Sequence, residues 1–204
     1  MVEGSSPPAP GEARARETIA TGPGMDGLDP VRYREVLGRF VTGVTVVTSV
    51  ASTTGTAMPF GTTVNSFTSV SIEPPIVLIC IGHERSIHPV IASAGHFAVN
   101  ILGEGGQALS DCFSGAPSTL PRSAFCDAAY GDGPLGMPIL EDAIAHLECD
   151  VIRILEAGDH TVYVGRVRDL DTSDVHALPL LYYRRRYLRI ERAAESELRG
   201  KPDV

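Results

Sequence analysis

From residue 44 to residue 190 the chain is a succession of short β-prone runs with little helical sequence between them, and this pattern limits the fold more than any other feature. Val44 to Val50 is rich in valine and threonine, Gly61 to Ser71 alternates loosely, and Pro75 to Ile81 is continuously apolar, which suits central strands. Phe97 to Leu102 is another apolar run. Ala145 to Ile154 and Thr161 to Leu170 flank Glu156-Ala-Gly-Asp159 as the arms of a hairpin, and Leu178 to Ile190 supplies a last strand. Short helices interrupt this series. Asp29-Pro30 is a cap followed by proline at the first helical position, and it opens an amphipathic helix of about three turns with Tyr33, Val36, Leu37 and Phe40 on one face. His88-Pro89 opens a second helix through Ala94, and Gln107 to Phe113 forms a third. Six or seven strands without regular strand-helix alternation speak against a doubly wound parallel sheet. They predict a mainly β, antiparallel barrel with a few peripheral short helices.

A length of 204 residues allows one such domain with appendages. Residues 1–28, rich in glycine and proline and without a hydrophobic period, are expected to be a disordered leader; 29–191 form the domain, and 192–204 a charged tail. A formal charge of −8 repels nucleic acid and anionic membranes, so an anionic ligand needs a local arginine pocket. The apolar runs fall far short of the roughly 18 residues of a spanning helix, and the amino terminus has no basic, apolar start, which together predict a cytoplasmic protein. Lys201, in the tail, is the one lysine, which removes Schiff-base chemistry and a phosphate-loop lysine from the domain. Cys80, Cys112, Cys126 and Cys149 show no close pairing and read as reduced core thiols. A zinc site built from Cys80, His83, His88 and Cys112 lacks the usual second close ligand pair, so no metal is expected. Gly22-Pro-Gly24-Met-Asp-Gly27 and Gly131-Asp-Gly133-Pro-Leu-Gly136 match a dinucleotide fingerprint but lack the strand before and the helix after that it requires.

Phe60 to Pro75 is the most informative segment. Thr62, Thr63, Asn65, Ser66, Ser69 and Ser71 place neutral donors and acceptors densely among apolar strands. Such a stretch is either a threonine-rich edge strand or the bed of a polyhydroxylated or heteroaromatic ligand, and a flavin fits the second description, with Arg85 or Ser86 beyond the next strand for its phosphate. Arg184-Arg185-Arg186 between Tyr182, Tyr183 and Tyr187 reads as a continuous strand. Arg184 and Arg186 would then share a side with Tyr182, and Arg185 would join Tyr183 and Tyr187. That strand is either a solvated edge or an aromatic and basic wall beside a nucleotide.

Five ordered stretches give the chain a resemblance to a known family. They are Phe40-Val-Thr-Gly-Val-Thr-Val-Val-Thr48, Thr63-Val-Asn-Ser-Phe-Thr-Ser-Val-Ser71 with Glu73-Pro-Pro75, Phe97-Ala-Val-Asn-Ile-Leu102, Gly158-Asp-His160, and Pro179-Leu-Leu-Tyr-Tyr-Arg-Arg-Arg-Tyr187. From about Tyr33 to Ile190 the chain resembles the short-chain flavin reductases, whose fold is an FMN-binding split β-barrel and which often serve two-component monooxygenases. The resemblance implies FMN, or FAD, as the flavin and NADH or NADPH as co-substrate. It implies a homodimer that hands reduced flavin to a separate monooxygenase. By the same resemblance Thr63, Val64, Asn65 and Ser66 with Ser69, Val70 and Ser71 hold the isoalloxazine and ribityl groups, and Arg85 with Ser86 holds the phosphate. His160 is the candidate catalytic residue, and with Tyr183, Arg184 and Tyr187 it flanks the nicotinamide. Gly82-His-Glu-Arg85 departs from the family pattern.

Overall fold

The computed structural model describes residues 16–19, 27–53, 56–121, 123, 125–173 and 177–191. In chain order the elements are β1 (Arg16–Thr18), α1 (Pro30–Leu37), β2 (Thr42–Gly43), β3 (Thr45–Thr53), β4 (Thr56–Val64), β5 (Thr68–Ser71) and β6 (Ile76–Gly82). There follow α2 (Ile87–Ala94), β7 (His96–Leu102), α3 (Gln107–Ser114), β8 (Tyr130–Asp132), β9 (Pro138–Leu140), β10 (Ala143–Ala157), β11 (His160–Thr172), β12 (Leu181–Tyr183) and β13 (Arg186–Leu188). Among the described residues, no helix is long and apolar enough to cross a membrane.

The main sheet runs β4-β3-β7-β10-β11-β6-β5, antiparallel along this path, with β1 added in parallel beside Ile154 to Glu156 of β10. Its two ends, β4 and β5, are consecutive in sequence and joined by Asn65, Ser66 and Phe67 alone. Laid flat, six strand spacings would separate those ends by about 29 Å. The link from Val64 to Thr68 reaches at most about 14 Å, so the sheet must roll up. The ladder between β4 and β5 is not made. The result is a barrel with one seam open, the expected split barrel.

Pleating sends alternate side chains to the two sides of the rolled sheet. Val47, Val64, Ile79, Ile81, Phe97, Val99, Val151 and Tyr163 form one buried cluster, covered by Ile87, Val90 and Ile91 of α2. Val44, Val46 and Leu102 point the other way, into a second cluster with Leu109 and Phe113 of α3, Phe125, Leu140 and Leu180. Both faces of β3 and β7 are therefore buried, which is why their sequences read as apolar runs without clean alternation. Two buried polar side chains hold neighbouring strands and loops together. The Asn100 amide donates to Val46 O and Thr48 Oγ1, and its Oδ1 accepts from Leu140 N at 2.8 Å. The fully buried Glu148 carboxylate accepts from the Leu135 and Met137 amides, fixing the loop between β8 and β9.

Several expectations change. Most of the expected disordered leader lies outside the described residues, but Arg16–Thr18 is a strand, because the far half of β10 extends beyond β7 and offers it an unpaired edge. The Gly22–Gly27 match also lies mostly outside the described residues, as does the tail from 192, whereas the Gly131–Gly136 match forms the β8–β9 hairpin, two strands the β-run reading passed over. Helix α1 has Asp29 as its cap, bonded to Val31 N at 2.9 Å, yet it ends at Leu37 and buries none of its residues. The run from 61 to 71 breaks into β4 and β5 at Asn65. The Tyr-Arg stretch is a hairpin rather than one strand. Arg184 and Arg185 take positive φ values of 49° and 64° at its turn, so strand alternation does not apply to them. Tyr182 faces Tyr187 across β12 and β13, ring centroids 5.3 Å apart. The four cysteines are not all thiols either: Cys112 and Cys126 form a disulfide with Cα atoms 6.1 Å apart, because the loop after α3 folds back onto the helix. Cys80 and Cys149 are free.

Candidate functional site

A cleft of about 240 Å³ opens along the seam of the barrel. Thr62 to Ser66, the end of β4 and the start of the link, form one wall; Cys80 to Gly82 at the end of β6 form the other. Glu84 and Arg85 from the turn before α2, and His160 from the start of β11, complete the rim. These groups meet because β11 pairs with β6 so that His160 lies opposite Gly82. A Cβ on Gly82 would sit 2.5 Å from the Glu84 carboxylate, so the Glu84 side chain lies directly over Gly82.

The wall is polar and mostly braced from behind. Ser66 Oγ donates to Cys80 O and accepts from Cys80 N, both at 3.1 Å, and so ties the link to the end of β6, in line with the β5–β6 register. Thr63 Oγ1 donates to Ser110 O of α3 at 2.6 Å. Tyr187 Oη bonds Ser110 Oγ at 2.9 Å and Asp111 Oδ1 at 2.6 Å, which ties the β12–β13 hairpin to the same helix. Burial and the Asp111 acceptor push the Tyr187 phenol up to about 12, so it is a hydrogen-bond donor at all ordinary pH. Burial raises the Cys80 thiol as well, against the opposing Ser66 contact, leaving a neutral sulfur in the cleft. Thr62 Oγ1 differs from its neighbours. It is buried in the wall and has no hydrogen-bond partner. A buried hydroxyl left in that state costs roughly 1–3 kcal/mol.

Arg85 sends one guanidinium nitrogen to Ser114 O at 2.9 Å and stands 3.2 Å from Glu84, an exposed pair of small energetic weight. His160 Nδ1 lies 2.7 Å from Asp159 Oδ1, which holds the ring at the rim and keeps its Nε2 for a ligand. The His160 hydrogen bond, followed by its charge, lowers the Asp159 carboxyl below its usual value.

The structure thus brings Thr63, Val64, Asn65, Ser66, Arg85 and His160 to one cleft. Ser86 is the residue before α2, next to this group but not on the cleft surface. Ser69, Val70 and Ser71 lie on β5 beyond β6 and do not line it. Tyr187 reaches it indirectly through Ser110, and Arg184 lies in a separate groove against Gly38 and Arg39 of the α1 region. Tyr183 is half-buried on β12 and does not line the cleft. The resemblance implied no flavin contact for Thr62, Cys80, Ile81, Gly82 or Glu84, all of which line the cleft. Thr62 belonged to the polar run that marked the wall, whereas Cys80 and Gly82 could be found only from the β6–β11 register.

The residues present suit a flavin: a planar ring can enter a seam between two strands, hydroxyl and amide groups line one wall, and an arginine stands at the end. A flavin reductase like domain matches residues 37–191. The chain is 40% identical over 145 residues to an NADH-dependent FAD reductase of Streptomyces globisporus, covering 70% of this chain and 76% of that protein. It is 36% identical over 167 residues to the reductase subunit of a flavin-dependent monooxygenase of Rhodococcus jostii, covering 81% and 80%. A Rhizobium meliloti relative, 39% identical over 151 residues, is longer, and the chain spans 46% of it. The solved NADH:FAD oxidoreductase of Streptomyces globisporus superposes with a TM-score of 0.72 at 35% identity, covering 85% of this chain and 100% of that one. The seam, its polar wall and these matches agree, and the chain belongs to the flavin reductase-like family.

Proposed function

We propose that the protein is an NAD(P)H:flavin oxidoreductase that reduces FMN or FAD and passes the reduced flavin to a separate monooxygenase component. The observation that carries this reading is the polar cleft that gathers Thr62 to Ser66, Arg85 and His160 at the open edge of the barrel. Bound in the seam, a flavin supplies the two-electron redox chemistry, with a reduced nicotinamide as donor. The chain's own residues bind and orient. Thr62, Thr63 and Asn65 meet the polar edges of the ring, and Ser66 sets the width of the seam. Arg85, close to Ser86, receives the phosphate. His160, held through Nδ1 by Asp159, presents Nε2 toward the nicotinamide side. Because proximity does the work, no acid-base dyad is required. Tyr187 braces the cleft from behind through Ser110, while Tyr183 and Arg184 stand outside it.

The relatives support the wider role, since one is named an NADH-dependent FAD reductase and another the reductase subunit of a monooxygenase. The protein acts as a homodimer in the cytoplasm, where reduced nicotinamide is made. Support for the dimer comes from α1 and the residues after it. Tyr33, Val36, Leu37 and Phe40 expose between 52% and 76% of their surface, an apolar patch that a twofold partner would cover. NADH oxidation is measured with and without added flavin. Consumption stimulated by excess free FMN or FAD is the expected result; flavin that survives gel filtration with no such stimulation would make it a fixed prosthetic group instead.

A further inference from the structure

Behind the cleft, on the opposite face of β11, four polar groups converge. Thr161 follows His160 on the strand, so its side chain points away from the rim, and it is fully buried. Its Oγ1 lies 2.8 Å from Glu156 Oε2, 2.8 Å from His88 Nε2 and 3.1 Å from His83 Nε2. His83 Nε2 is also 3.1 Å from Glu156 Oε2. The two imidazole nitrogens and the carboxylate oxygen all lie within 4.8 Å of one another.

We propose that His83, His88 and Glu156 form a binding site for a divalent transition-metal ion of the zinc class. Two imidazoles and one carboxylate are a recognised zinc donor set, with a fourth position left for water or a hydroxyl, here Thr161. Hard ions such as magnesium or calcium prefer all-oxygen sites. The site differs from one read off cysteine spacing, since Cys112 is in the disulfide and Glu156 comes from a distant strand.

The placement gives the ion a role. His83 and His88 bracket Glu84, Arg85 and Ser86 in sequence, and Glu156 and Thr161 bracket the Asp159-His160 turn. His83 N already bonds Asp159 O at 3.0 Å. An ion held by these ligands would clamp together the two loops that form the rim of the cleft without touching what binds inside it. It is a structural clamp, and it stands or falls independently of the flavin.

The test uses tag-free, full-length protein stripped with a chelator and titrated with Co²⁺ alone, followed by the visible d–d bands of low-coordinate cobalt. One equivalent should bind, Zn²⁺ should displace it, and Zn²⁺ should raise the melting temperature without flavin. His83→Gln, His88→Gln and Glu156→Gln should each weaken Co²⁺ binding at least tenfold, while His96→Gln and His146→Gln should leave it unchanged. The His83 side chain is 43% exposed, the most open of the three ligands, so its variant reports on binding with least risk to folding. Absence of the bands, or stoichiometric binding that survives all three ligand substitutions, would overturn the proposal and show a hydrogen-bonded polar cluster only.

Discussion

Replacing Thr62 by valine should move two measurements in opposite directions. Valine keeps the branched shape, so it fits where the threonine sits, 3% exposed between β3 and the seam. In the ligand-free protein it removes a buried hydroxyl that has no partner. Leaving such a group unsatisfied costs roughly 1–3 kcal/mol, so the apoprotein should gain about 1 kcal/mol and melt roughly 2–4 °C higher. In the flavin complex the same change deletes one hydrogen bond, worth about 0.5–1.5 kcal/mol net, so the Kd for FMN should rise about two- to twelvefold. Calorimetric melting of the apoprotein and quenching of flavin fluorescence measure the two effects separately. A Thr62→Val protein that melts lower and binds FMN as tightly as the parent would refute the reasoning, because the hydroxyl would then serve the fold and not a ligand.

His160→Ala should raise KM for NADH or lower kcat while FMN titration stays near wild type; a joint loss of both ligands with a lower melting temperature would mark a structural histidine. Val36→Asp combined with Phe40→Asp should convert the proposed dimer to a monomer in light scattering, and a monomeric parent at micromolar concentration would contradict the proposal. Gly165→Ala would place a Cβ 2.5 Å from the buried Phe97 ring and 2.9 Å from Cys149 Cβ. It should cost roughly 1–3 kcal/mol in denaturant unfolding, and an unchanged midpoint would show that the barrel interior yields. Burial pushes Tyr163 and Tyr187 up to about 12, so two of the six tyrosines should ionise late in an absorbance titration. Their raised values favour the neutral folded state, so the stability they add is intact below about pH 10 and is lost between about pH 10 and 12.

The strand runs were legible because apolar and β-branched residues mark buried pleats wherever they stand. Val44 to Val50 and Phe97 to Leu102 lie at or near their observed positions as β3 and β7. Features made by long-range return were not legible. The Cys112–Cys126 bond depends on a loop folding back over α3, and the β8–β9 hairpin is fixed by Glu148 from another strand. Arg184 and Arg185 were misread because a strand and a two-residue turn share composition when bulky residues adopt positive φ. In the site, the hydroxyl-rich wall announced itself by polarity out of place. The opposite wall did not, because Cys80, Ile81 and Gly82 look like any apolar strand end until the register with His160 is known.

Joining the two edge strands by Asn65, Ser66 and Phe67 makes the seam behave like a jaw with a strap of fixed length. Its gape is capped by the contour of the peptide, whatever the strength of the bonds across it. A guest thicker than the slot between the link and the end of β6 should have to break the Ser66 contacts with Cys80 to enter. If the seam is the binding site, chain length there sets the thickness of what it admits, and lengthening the strap by one or two residues should loosen that limit before it disturbs the barrel.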